Sequence, residues 1–255
     1  MKVVLTNDDG YAAPGIQALA DEFASRGDKV AIVAPERQRS AASHAVTLHK
    51  PLRVKRVPEL EKENVEVYHT SGTPSDSAMM GLLEIMPDAD ILVSGINNGP
   101  NLGEDVLYSG TVAGAMEGAL IGVRSISVSM AEYDIDGYAL AAKFAVGLAH
   151  RLAASSLPKR TVLNVNVPYA DVADYKGFRV VRLGTRKYED VLQKRSDPRG
   201  QTYFWITGRL TRAEAEGDTD NAAVSEGFIS VTPLLLDFTH YAMLDQCSFP
   251  DPMKD

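Results

Sequence analysis

Cysteine is nearly missing from this chain of 255 residues. Cys247 stands alone, so no disulfide can close within the chain, which fits a reducing compartment. Trp205 is likewise the single tryptophan, and the five histidines (His44, His49, His69, His150 and His240) are scattered. Each histidine reads as structural or superficial, with His44 the nearest to the polar segment around Ser40. No apolar run reaches the roughly 18 residues that a membrane span requires. Met1-Lys2 leads straight into a strand-like run without a signal-peptide hydrophobic stretch, so the expected location is cytoplasmic, with no membrane partner. Positive charge is in deficit, with 26 Lys and Arg against 34 Asp and Glu and a formal net charge of -8. That balance argues against bulk capture of a nucleic-acid polymer. An anionic ligand would have to be held locally, by a cation and by backbone N–H groups. The first loop also lacks the Gly-x-Gly-x-x-Gly pattern of dinucleotide sites.

What is present points to an enzyme. The chain is 45% hydrophobic and 24% charged, ample for one large domain or a domain with an appendage. Its apolar run Val3 to Leu5 ends abruptly in Thr6-Asn7-Asp8-Asp9-Gly10, which reads as a central strand entering a loop. In a parallel α/β sheet, ligands bind in the crevice outside the carboxyl ends of the strands. Two adjacent carboxylates there repel each other and resist desolvation unless a cation sits between them. Hard ions such as Mg²⁺ take oxygen ligands, commonly one or two carboxylates with water and phosphate oxygens. The plainer alternative is that Asp8 and Asp9 only form a turn ahead of Gly10.

Strands and helices alternate through the first two thirds. Pro14-Gly15 opens a helix with Ile16, Leu19, Ala20 and Phe23 at helical spacing, and Gly27 closes it. A strand over Val30 to Val33 follows, then a polar loop from Glu36 to Ser43. Residues 46–68 alternate as in Leu52-Arg53-Val54-Lys55-Arg56-Val57, predicting a half-exposed hairpin or sheet extension. Thr73-Pro74-Ser75-Asp76 predicts a capped helix to about Ile85. Ile91–Val93, Ile126–Val128 and Val162–Val167 read as strands, with helices over Val112–Ile121 and Tyr138–Leu152. This rhythm predicts an α/β fold with a doubly wound, mostly parallel sheet, spanning residues 1–183. Beyond Pro168 the rhythm breaks into strands at Phe178–Leu183, Thr202–Thr207 and Phe228–Val231, with no helices between them. Residues 184–248 are therefore expected to form a β-rich C-terminal arm or extension that builds an oligomer, followed by a disordered tail, 249–255.

Three further loops follow predicted strands. Arg37-Gln38-Arg39-Ser40-Ala41-Ala42-Ser43-His44 offers hydroxyls and cations, although on its own it reads as a solvated surface loop. Ser94-Gly95-Ile96-Asn97-Asn98-Gly99-Pro100-Asn101-Leu102-Gly103 is overlong for a turn and rich in amides and glycine, which lets it aim amide oxygens and N–H groups inward. Tyr108-Ser109-Gly110-Thr111 stands directly before a helix, where hydroxyls, a close-approach glycine and the helix N-terminus make a phosphate seat. An ordinary Ser/Thr cap would look the same. The functional reading rests on all four loops meeting at one sheet edge.

These stretches carry a resemblance. Val4-Leu5-Thr6-Asn7-Asp8-Asp9-Gly10-Tyr11, Ala34-Pro35-Glu36-Arg37-Gln38-Arg39-Ser40, Ser71-Gly72-Thr73-Pro74-Ser75-Asp76, Ser94-Gly95-Ile96-Asn97 and Tyr108 through Gly118 resemble the SurE family of nucleotidases and acid phosphatases. So do Lys194 through Gly200 and Glu226 through Leu234, so the likeness runs in order along nearly the whole chain. It implies a Rossmann-like fold and a metal-dependent phosphomonoesterase acting on nucleoside monophosphates. It also implies a homodimer or homotetramer in which the C-terminal extension exchanges between subunits. One divalent cation, Mg²⁺ or Mn²⁺, would fall on Asp8, Asp9, Ser40 and Asn97. The chemistry of the residues themselves agrees: Asn98, Ser109, Gly110 and Thr111 would take the phosphate, and Asp8 and Asp9 the catalytic roles, with Asp9 orienting or deprotonating the attacking water.

Two rival chemistries use acidic residues after a first strand. A Mg²⁺-binding receiver domain would need a phospho-accepting Asp at the end of a later central strand, where this chain has Val93-Ser94-Gly95. An aspartyl-phosphate phosphatase usually shows Asp-x-Asp, whereas the second Asp here is adjacent to the first. No Cys-Arg phosphatase loop is visible.

Overall fold

The structure, a computed structural model, describes residues 1–246 with the exception of 136, 159, 215 and 245. Cys247 and the tail 249–255 lie outside the described residues. The chain order is β1 (Lys2–Thr6), α1 (Pro14–Ser25), β2 (Lys29–Pro35), β3 (Val54–Arg56), β4 (Val65–Thr70) and α2 (Pro74–Met80). Next come β5 (Ile91–Asn97), α3 (Gly110–Ile121), β6 (Arg124–Met130), α4 (Ala139–Ala153) and β7 (Thr161–Val167). The last third holds β8 (Phe178–Val180), β9 (Arg186–Ser196), β10 (Thr202–Ala213), α5 (Asp220–Ser225) and β11 (Ile229–Leu235).

The described residues form a nine-stranded sheet ordered β3-β4-β2-β1-β5-β6-β7-β11-β8, with β9 and β10 as a separate ribbon. From β4 to β7 every neighbouring pair is parallel, while β3 and β11 run antiparallel to β4 and β7. The central strand β1 is apolar throughout because both its faces are covered. Val3 and Leu5 join the cluster that includes Ile16, Leu19 and Phe23 of α1 and Leu140 and Val146 of α4. Val4, pointing the other way, joins Ala78 of α2 and Val112, Ala115 and Met116 of α3. Helices on both faces make the sheet doubly wound, as the alternation predicted. The chain moves outward from β1 to β2 on one side and returns to β5 on the other. The order reverses between β1 and β5, and α/β folds bind ligands at such a reversal.

Local signals place the elements. Pro14 occupies the first turn of α1, and Thr73 and Asp76 form a reciprocal capping box at α2. The structure departs from expectation in the segment 46–68, where β4 is an integral strand pairing in parallel with β2, and only β3 is added as a short antiparallel edge. It departs again beyond Gly184. The stretch 184–200 contains β9, and within the run that follows β10 Thr219 caps a short helix, α5. β11 then returns to the main sheet beside β7, so the span 184–248 divides into a projecting ribbon and a segment that completes the core. Among the described residues no helix is long and apolar enough to cross a membrane.

Candidate active site

The acidic pair sits where β1 ends. Asn7 closes the turn with its side chain, its amide donating to the Gly10 carbonyl and its oxygen accepting from the Gly10 N–H, both at 3.0 Å. Asp8 is 6% exposed and Asp9 only partly buried, although both are carboxylates. Asp8 Oδ1 accepts the hydroxyl of Thr111. Its carboxyl is pushed up to about 6, chiefly by burial and further by the charge of Asp9, against the opposing Thr111 hydrogen bond. Asp9 is also raised by burial, opposed by bonds from the Asn98 N–H at 3.2 Å and Gln38 Nε2 at 3.4 Å. Both groups therefore resist the charged state as they stand, and a cation at the pair would relieve that.

The other three loops converge here. Arg39 donates its N–H to the Asp8 carbonyl at 2.7 Å, which brings the following residue, Ser40, to the same edge, where it is exposed. The loop is tied further along by Ser43, which donates to the Leu107 and Tyr108 carbonyls, and by His44, whose Nε2 pairs with Glu117 Oε2 at 2.8 Å. Asn97 turns its amide onto the Gly99 carbonyl at 2.9 Å, leaving its side-chain oxygen for another partner. Asn98 holds Asp9 through its backbone, while its side-chain oxygen accepts from the Asp134 N–H at 2.9 Å.

At the start of α3 the expected phosphate seat has a divided role. Ser109 is the cap, its hydroxyl oxygen accepting from the Val112 N–H at 3.0 Å, which leaves its own hydrogen to donate. Thr111 is not such a donor, because its hydrogen goes to Asp8. A Cβ on Gly110 would stand 2.8 Å from Asp8 Cβ, so only glycine lets the helix end approach the carboxylate so closely. The N–H groups of Gly110 and Thr111 have no acceptor among the described residues and face the open end of the helix.

Residues that the sequence reading passed over hold this arrangement. Asn101 is fixed by Asn166 and Asn164, which both donate to its carbonyl, and it bonds Ser129 at 2.7 Å. The visible signal was Asn164 and Asn166 interrupting an otherwise apolar strand, where buried amides need partners. The fully buried Asp220 carboxylate accepts from the Gly103 and Gly184 N–H groups at 2.8 Å each, and from Asn221. Asp105, in the turn before α3, accepts from Arg186 and Tyr188 at 2.7 Å each.

With this geometry in hand, comparison with known proteins decides the family. The family model described as "Survival protein SurE" matches residues 3–190. The chain belongs to the SurE family. A protein named 5'-nucleotidase SurE from Natranaerobius thermophilus is 45% identical over 253 residues, 97% of this chain and 98% of that protein. One of the same name from an Anaeromyxobacter species is 48% identical over 248 residues, 96% and 93% of the two chains. The crystal structure of the Sure protein from Aquifex aeolicus superposes with a TM-score of 0.83 at 38% identity, covering 97% of this chain and 98% of that one. The α/β architecture with its extra antiparallel ribbon is thus a SurE fold. Of the eight positions expected from sequence, Asp8, Asp9, Ser40, Asn98 and Ser109 lie in loops near the β1–β5 reversal, while Asn97 ends β5 and Gly110 and Thr111 open α3.

Proposed function

We propose that this SurE-family chain is a metal-dependent phosphomonoesterase that hydrolyses nucleoside monophosphates to nucleoside and phosphate. One observation carries the reading: Asp8, one of two adjacent carboxylates raised by burial, faces the bare N-terminus of α3 across Gly110. The names of the close relatives, 5'-nucleotidases, supply the substrate class.

The donor set suits a hard cation. Among the described residues no three His, Cys, Asp or Glu side chains cluster, so a cation held here would use Asp8 and Asp9 with the neutral oxygens of Ser40 and Asn97 and with water. Such an ion would clamp a phosphoryl oxygen and acidify a bound water. The chain's own groups do the rest. Phosphate monoesters react through a loose transition state, so positioning and charge stabilisation dominate. The N–H groups of Gly110 and Thr111, the Ser109 hydroxyl and Asn98 Nδ2, whose contact with Asp134 is 3.5 Å long, would receive phosphoryl oxygens. Asp9, the more open of the pair, would orient the attacking water and take its proton. Thr111 holds Asp8 in place.

Phosphate release from a panel of nucleoside monophosphates, with Mg²⁺, with Mn²⁺ and with excess chelator, tests this. We expect turnover with metal and none with chelator. Undiminished hydrolysis in chelator overturns the reading.

A further inference from the structure

Tyr133 lies on the turn that follows β6, and 67% of its surface is exposed. The turn is stitched to the amide loop by the Asp134 N–H bond to Asn98 Oδ1. The ring itself lies against Gly99: a Cβ built there would stand 2.1 Å from Cε1, 2.6 Å from Cδ1 and 2.8 Å from Cζ. A point straight out from Cε1 in the ring plane would be farther from both neighbouring carbons, so the glycine backbone meets the ring from one face, at its Cε1 edge. Gly99 therefore backs one face of the ring at its Cε1 edge, and the opposite face is free of that contact. Gly99 has φ +129, a conformation that suits glycine, so the support is a bare backbone by construction.

The position of this ring relative to the acidic pair is set by short steps. Asn98 N–H bonds Asp9 Oδ2 at 3.2 Å, and Gly99 is the next residue. Chain geometry then places the ring edge within about 12 Å of the Asp9 carboxylate. That upper bound is compatible with one nucleotide reaching from a phosphoryl group at Asp8 and Asp9 to a base at the ring.

We infer that the free face of Tyr133 is the stacking platform for the nucleobase of the substrate. The inference rests on the phosphatase reading and names a substrate contact outside the set assigned above. Stacking is tolerant of base identity because every base has a π-face, so the platform sets affinity without choosing one base. Purines, with the larger face, bind better on it than pyrimidines.

The test compares AMP with ribose 5-phosphate, which has the same phosphate and sugar and no base. Steady-state kinetics with Mg²⁺ are measured for wild type, Tyr133→Ala and Tyr133→Trp. For Tyr133→Ala we expect KM for AMP to rise about tenfold with kcat within threefold, while KM for ribose 5-phosphate stays within twofold. Tyr133→Trp restores the wild-type KM for AMP. Equal changes toward both esters, or an unchanged KM for AMP in Tyr133→Ala, overturn the platform and leave the phosphatase reading intact. A wild type inert toward both esters overturns the two together.

Discussion

At the scale of single residues, the decisive group is Asp8, a carboxylate whose surroundings favour its protonated form. Its folded pKa of about 6 lies above the value near 3.9 of an unfolded chain. Between these values the folded state binds the proton that the unfolded state has released. The contribution of Asp8 to stability is thus fully present below about pH 4 and is lost as pH rises toward 6. In metal-free protein we therefore expect Asp8→Asn to be more stable than wild type at pH 8, by on the order of 2–3 kcal/mol, with the gap closing near pH 4. Urea midpoints at the two pH values measure this. A gap that does not change with pH contradicts it. Activity moves the opposite way: Asp8→Asn and Asp9→Asn should each lower turnover at least about 10²-fold, with far-ultraviolet circular dichroism unchanged. On the proposed reading, the folded state carries the cost of an ionised Asp8 in exchange for a cation site.

At the scale of elements, the start of α3 separates two functions that look alike in sequence. Ser109→Ala removes a cap and, on the proposed reading, a phosphate donor, and we expect about 1 kcal/mol of lost stability with weaker inhibition by inorganic phosphate. Its turnover should fall, through a rise of about 2–4 kcal/mol in activation free energy. Thr111→Ala removes the partner of Asp8, so turnover should fall while phosphate inhibition holds. Equal phosphate inhibition constants for wild type and Ser109→Ala would place the seat elsewhere. The sequence could show that Ser109 and Thr111 open a helix after a glycine-rich loop, because capping and glycine chemistry are local. It could not show that Thr111 faces Asp8, since a hydrogen bond between residues 103 positions apart depends on which strands are neighbours. The central strands were legible for the same local reason: β1, buried on both faces, is an unbroken apolar run. β9 was not, because most of its described residues are exposed and Arg186–Ser196 carries no apolar alternation. α5 was missed because six residues are too few for a helical period to emerge.

For the molecule as a whole, the ribbon β9–β10 is the outlying feature. Phe204, Trp205 and Ile206 are 57%, 58% and 83% exposed, and they face both sides of a strand that has no helix over it. A two-stranded ribbon with bare aromatics is marginal in water alone. We propose that it packs against a second subunit, giving the dimer or tetramer that the sequence resemblance implies. Light scattering on wild type and on the Phe204→Glu, Trp205→Glu double variant is expected to show an assembly that falls apart in the variant. A monomeric wild type, or a variant of unchanged mass, argues against the arm.

The Asp220 carboxylate has a consequence in time. It anchors Gly103, which lies 117 positions earlier in the chain. At ribosomal rates of about 5–20 residues per second, the amide loop waits on the order of ten seconds after its own synthesis for the group that fastens it. A nascent chain halted before Asp220 already holds every residue of the candidate site, from Asp8 to Thr111, yet lacks the clasp on the loop that presents Asn97 and Asn98. The fastening of the amide loop is thereby deferred until Asp220 itself has been made, well after every residue that the loop presents.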